Sequence, residues 1–333
     1  MTRIALREMA VNGIIMGRWV VSLSDVARCL VAAVIATSVL TTSVSHAAPP
    51  AGQRRTFATP EEAVRALAAA VKAGNLDEVL AIFAPDGQEL AASSDPATGR
   101  KNRDVFTAAF AEGWRLVNQG ANRKTLVIGG EAWPFPVPLV KEGSRWRFDT
   151  AAGKEEVLDR RIGRNELAVI AVCRSYLSAQ HRYAQDGHDG KRPGLYAMTF
   201  HSELGKQNGL YWAVAHGQKR SPLGDLVAQA AEEGRPVAEG GAAPLPLYGY
   251  YFKILTAQGP HAPGGAKPYV VDGAMSAGFA LVAWPAQYDA SGVMTFVVNQ
   301  DGIVRQKDLG PRTDTAASAM THYDPDASWG AVH

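Results

Sequence analysis

The last third of the chain, Gly249 to Gly310, carries three runs rich in β-branched and aromatic residues: GYYFKILTAQG, GFALVAWPAQY and SGVMTFVVNQDGIVRQKDLG. Clusters of Gly, Pro, Asn and Asp separate them, so the backbone turns back after each run and an antiparallel sheet is expected. Stretches with helical periodicity precede this block, which makes the expected fold class α+β: N-terminal helices packed on an antiparallel sheet, then a long helix packed on a C-terminal antiparallel sheet.

A chain of 333 residues, 47% hydrophobic and 20% charged, has material for two domains. Cys29 to Val44 forms an apolar segment preceded by Arg18 and Arg28 and followed by Ser45-His46-Ala47, a small-x-small cleavage pattern. Residues 1–47 therefore read as a signal peptide cut near Ala47, with a periplasmic or secreted mature protein. The segment is shorter than the roughly 20 apolar residues of a membrane span, so no integral span is expected after cleavage. Removing it takes away four Arg and two acidic residues, leaving 30 basic against 30 acidic. A neutral chain without a basic cluster offers nucleic acid no electrostatic footprint. Cys173 alone remains of the two cysteines, which excludes an internal disulfide.

The first domain is expected over 57–150. Thr59, Pro60 and Glu62 spell a helix start, with Ala63, Val64, Leu67 and Val71 as its apolar face and Gly74 as its stop. Asn75 and Glu78 repeat the capping logic, and Phe106, Phe110 and Trp114 align on a third helix from about Asn102 to Val117. Strands follow over Lys124–Ile128, Trp133–Val140 and Ser144–Asp149, the last two joined by a hairpin at Lys141-Glu142-Gly143. In the middle strand Pro134, Pro136 and Pro138 remove every donor on one side, which predicts an edge strand. The same alternation puts Trp133, Phe135, Val137 and Leu139 on the opposite face. Helices before a curved sheet, together with AGNLDEVLAIFAPDG (Ala73 to Gly87), resemble the cone of nuclear-transport-factor-2-like domains. That resemblance implies a pocket with Trp114, Trp133, Phe135 and Trp146 as walls. Aromatics at element spacing more often simply pack, so core is the weightier reading.

The second domain is expected over 153–329. Helical pattern runs through KEEVLDRR and, after Gly163, through RNELAVIAVCRSYLSAQHRYAQ, for which Asn165 reads as an N-cap. The set Asn165, Glu166, Ile170, Arg174, Ala179, Gln180 and Tyr183, followed by the three strand runs, resembles the head of pilin-like proteins. Arg164, Arg174 and Arg182 intrude where a filament-forming helix would be apolar, so a soluble, non-polymerising head is implied. From about Phe57 to Trp329 the chain resembles the bacterial domain of unknown function 2950 family. Trp133 to Leu167, Gly249 to Ala266 and Gly278 to Gly310 carry the likeness. It implies an exported bacterial protein without an assigned activity.

Asp186 and Asp189, in QDGHDG, are the metal candidates, since carboxylates in a Gly-rich loop suit calcium. The loop lacks a terminal Glu, and Lys191 and Arg192 follow, so an Asp-Gly turn is the better reading. The histidines show no zinc spacing, Ser276 lacks the context of a nucleophile elbow, and Cys173 lies in a helix stripe. No catalytic residue and no cofactor is assigned. The expected function is a non-enzymatic cell-envelope module that binds a protein or polymer partner; the alternative is a small-molecule-binding protein or enzyme using a pocket in the first domain.

Overall fold

The computed structural model describes residues 55–84, 87, 96–215, 218–232 and 246–332. The signal segment, residues 1–47, lies outside them. The chain is α+β and divides into two compact units, Met1–Arg160 and Arg161–His333.

In the first unit, α1 (Pro60–Ala73) begins as its sequence requires. Thr59 is extended, its hydroxyl accepts from Glu62 N at 3.1 Å, and the Glu62 carboxylate accepts from Ala58 N at 3.0 Å. Asn75 caps α2 (Leu76–Ile82) by accepting from Glu78 N at 3.1 Å. Helix α3 (Pro96–Glu112) ends earlier than its aromatic spacing predicts, because Gly113 takes φ +146 and Trp114 opens a strand. The strands are β1 (Trp114–Asn118), β2 (Arg123–Ile128), β3 (Trp133–Pro134), β4 (Leu139–Glu142) and β5 (Arg145–Phe148), all antiparallel. Their order is β1-β2-β4-β5, with β3 also beside β2.

The stretch from Trp133 to Val140 is thus two strands, not one edge strand. Phe135 N still donates to Leu126 O at 2.7 Å, but Pro136 and Pro138 have no N–H, and the backbone leaves the ladder until Leu139. Of the two pieces only β3 pairs with β2 alone; β4 lies between β2 and β5. The expected side-chain alternation does not survive this break: residues 135–139 are all buried, Pro136 and Pro138 included, because the backbone between β3 and β4 is not a regular strand. Phe135, Val137 and Leu139 are buried, and Phe135 meets Phe83, Phe106 and Phe148 at ring separations of 6.1–6.4 Å. Each such phenyl contributes roughly 2–3 kcal/mol by leaving water.

Helix α4 (Thr150–Gln185) begins in the first unit, contributes its residues from Arg161 onward to the second, and runs unbroken through Gly163. Asn165 is therefore not a cap. A glycine in a helix interior costs about 1 kcal/mol, and docking contacts just beyond it offset that. Asn165 Nδ2 donates to Ser291 O at 2.8 Å, while one Glu166 carboxylate oxygen accepts from Val293 N and Met294 N at 2.9 and 3.0 Å. After α5 (Gly224–Glu232) come β6 (Tyr250–Leu255), β7 (Ala257–Gln258), β8 (Lys267–Pro268), β9 (Val270–Val271) and β10 (Ala274–Met275). Then follow β11 (Ala280–Pro285), β12 (Met294–Asn299), β13 (Arg305–Asp308), α6 (Thr313–Ser318), β14 (His322–Tyr323) and β15 (Gly330–Ala331).

The main sheet has the order β15-β13-β12-β11-β6 and is antiparallel throughout. Strand β11 lies inside the sheet, between β12 and the edge strand β6, and is buried along its whole length. Helix α4 packs on this sheet, with Tyr176 OH donating to Ala280 O at 3.1 Å and its ring 5.7 Å from that of Phe279. Gln180, fully buried, accepts from Ala197 N at 2.9 Å and donates to Ala197 O at 2.8 Å. A second, small sheet joins β7 to β14 in parallel and to β8 antiparallel.

Candidate functional site: a polar cleft beyond the long helix

Where α4 ends, the chain makes a tight reversal. Asp189 and Gly190 take φ +49 and +76, and Lys191 N donates to His188 O at 2.9 Å, as in a type I′ turn. Asp and Gly are the residues that tolerate this geometry, so the Asp-Gly reading of the loop holds locally. His188 folds under the turn, stacked on Tyr183 at 4.1 Å with a ring nitrogen 3.0 Å from Tyr183 O. Both Asp189 oxygens accept from Gln207 N, at 3.1 and 3.0 Å, and Tyr183 OH donates to Gln207 O at 3.0 Å. These bonds draw the 199–208 segment against the helix end, and Tyr196 N donates to Met275 O at 2.8 Å from the other side.

The result is a cleft of about 470 Å³, within the size range of small-ligand sites. Tyr183, His188 and Met275 are its buried residues, and Met198 stands exposed at its rim. Its charged residues are Asp186, Asp189 and Glu203 against Lys191, Arg192 and Lys206. Lys219, hydrogen-bonded at 3.0 Å, holds the Asp186 carboxyl below the usual range. Lys206 and then Asn208 do the same for Glu203, which in turn raises Lys206. His201 is half-buried, and that burial lowers its pKa, so the imidazole is neutral at pH 7.

Both metal candidates thus border one cleft, but their carboxylates already have partners: Lys219 for Asp186 and the Gln207 amide for Asp189. Among the described residues no group of three or more His, Cys, Asp or Glu is placed to hold a metal ion. The four aromatics named as pocket walls lie in the first unit. Phe135 and Trp146 belong to its core, and Trp114 and Trp133 pack against it. Trp133 lies 6.1 Å from Phe135, Trp114 stacks on Phe110 at 5.8 Å, and Lys124 Nζ sits 5.7 Å over Trp146. Cys173 is buried and its thiol is pushed up to about 12 by desolvation, which removes the thiolate a nucleophile needs.

Sequence reasoning missed a second polar pair. The loop after β7 is held by Asp324, which accepts from His261 N at 2.7 Å and from His261 Nδ1 at 2.9 Å. The hydrogen bond and charge of Asp324 raise the His261 pKa. Asp324 is pushed up by burial, but bonds from the His261 side chain and backbone outweigh this and leave it lowered. A side chain at Gly259 would lie 2.3 Å from the Asp324 carboxyl carbon, so the loop's first glycine is required for the clasp. Sixty-three residues separate the partners, and no local spacing signals the pair.

A family model matches residues 54–332, a span that includes the cleft. The chain belongs to the family described as protein of unknown function (DUF2950). No curated protein and no solved structure matches it. The likenesses of this DUF2950 protein to pilin heads and nuclear-transport-factor-2 cones therefore rest on the sequence alone. Among its described residues no helix is long and apolar enough to cross a membrane.

Proposed function

We propose that this DUF2950 protein is exported and acts as a non-enzymatic cell-envelope binding module, with the cleft beyond α4 as the place where its protein or polymer partner enters. The observation that carries the reading is the cleft itself: a concavity of about 470 Å³ where apolar and charged side chains converge. Cys173 is buried in the core and does not line the cleft, which favours recognition over covalent chemistry there. In the first unit the tryptophans and Phe135 are engaged with neighbouring rings and cations, so binding attaches more readily to the second unit. The signal segment supports export.

Two measurements test this. Fractionation should recover the protein outside the cytoplasm with its N-terminus near Pro49 or Ala48; an intact leader in the cytoplasm would overturn export. Immobilised mature protein should retain an envelope component that Met198→Trp, a change at the exposed rim, releases. Equal retention by both proteins would remove the cleft as the binding place.

A further inference from the structure

We infer that the cleft takes an anionic group of that partner, a carboxylate or phosphate attached to an apolar body; this rests on the cleft being the binding site proposed above. The charges there are not equally available. Asp186 is bonded to Lys219, Asp189 to the Gln207 amide, and Glu203 to both Lys206 and Asn208, whose Nδ2 donates at 2.9 Å. Every carboxylate in the lining is satisfied from within the protein. Lys206 is engaged through Glu203, which leaves Lys191 and Arg192.

The type I′ turn delivers these two cations side by side into the lining, and neither side chain has an ion-pair or hydrogen-bond partner among the described residues. Asp186 and Glu203 are neutralised by Lys219 and Lys206, and Asp189, bonded to a neutral amide, offsets one of the two remaining cations, so an incoming anion meets a net excess of one positive charge with both Lys191 and Arg192 free to donate. The Arg192 guanidinium can hold two oxygens of a carboxylate or phosphate at once, and Lys191 adds a point charge. Neutral His201 offers one further N–H donor without repelling either ion. Leu195, Met198 and Met275 line the same space and suit an apolar tail next to the charged head.

Octanoate, octyl phosphate and octylamine serve as probes, titrated into the mature protein by calorimetry at low and moderate salt. Octanoate or octyl phosphate is expected to bind, with the tighter of the two identifying the head group, and octylamine is not. The double variant Lys191→Gln/Arg192→Gln should weaken anion binding about tenfold or more, as loss of charge-assisted bonds does, with an unchanged melting temperature. Octylamine binding as well as the anions, undiminished binding by the double variant, or no binding of any probe would each overturn the inference. Retention of an envelope partner that Met198→Trp releases would still stand in all three cases, which separates failure of the anion assignment from failure of the binding reading.

Discussion

In the first unit Phe83, Phe106, Phe135 and Phe148 meet ring against ring, and Thr150 is the one polar residue that is buried among those described there. In the second unit Gln180, Gln258, Thr295 and Asn299 are buried among the tyrosines and the strands. Phenyl packing has little directional demand; it fixes volume more than it fixes neighbours. A buried amide is different, because each of its donors and acceptors must find a partner. Gln258 accepts from Tyr269 OH at 2.9 Å and donates to Pro263 O and Gly265 O at 2.8 and 2.7 Å, which pins an irregular loop that has no strand to hold it. The second unit has long connections to place, and buried amides place them.

The largest effect separating the two interiors is expected from Phe135→Ala, at about 3–5 kcal/mol, measured by denaturant unfolding of the whole chain. A much smaller loss would mean that the ring cluster collapses around the void and that the first interior is looser than its packing suggests. Next comes Gln180→Leu, which leaves Ala197 N–H and Ala197 C=O without their partner, removes one of the two bonds at Tyr176 OH and should lose roughly 2–3 kcal/mol. Ile128→Leu, a similar-volume change in the first interior, should lose less than about 1.5 kcal/mol. If the two leucine variants lose the same amount, the contrast between the interiors fails.

A smaller, pH-dependent effect is expected at the Asp324 clasp. A raised His261 pKa contributes stability that is present below about 6.5 and fades as pH rises through the higher folded value; the lowered Asp324 pKa contributes above about 3.9 and fades as acid protonates it. The gap in melting temperature between wild type and Asp324→Asn should therefore peak at mildly acid pH and close on both sides. In the variant, the His261 titration followed by NMR should fall back toward 6.5. Smallest of all, chelation should leave the melting temperature unchanged; a drop would restore Asp186 and Asp189 as a cation site.

The C-terminal block announced its strands because turn residues bound each run, and β6, β11, β12 and β13 lie within the runs they mark. Two failures have specific causes. Phe106, Phe110 and Trp114 keep helical spacing, and their rings do stack in sequence, but Gly113 adopts a backbone angle that ends the helix between the second and the third. Asn165 looks like a cap because it follows Gly163, yet its amide serves Ser291, 126 residues away. The cleft was half legible: QDGHDG marks its turn, but the partners of its carboxylates, Gln207 and Lys219, lie 18 and 33 residues further on. Local composition shows which groups are charged; only the fold shows which of them remain unspent.

Strands β14 and β15 complete pairings with earlier strands: β14 lies along β7, and β15 along β13. Asp324, which fastens the loop after β7, belongs to the same late segment. A ribosome delivers β6 through β13 while these partners are still unmade, so the second unit can complete its native pairings only after residue 331 has been synthesised. Until then two strand edges and a loosened glycine-rich loop stay open. Removing residues 321–332 should therefore leave the β7 and β13 edges unpaired and make the second unit more susceptible to proteases.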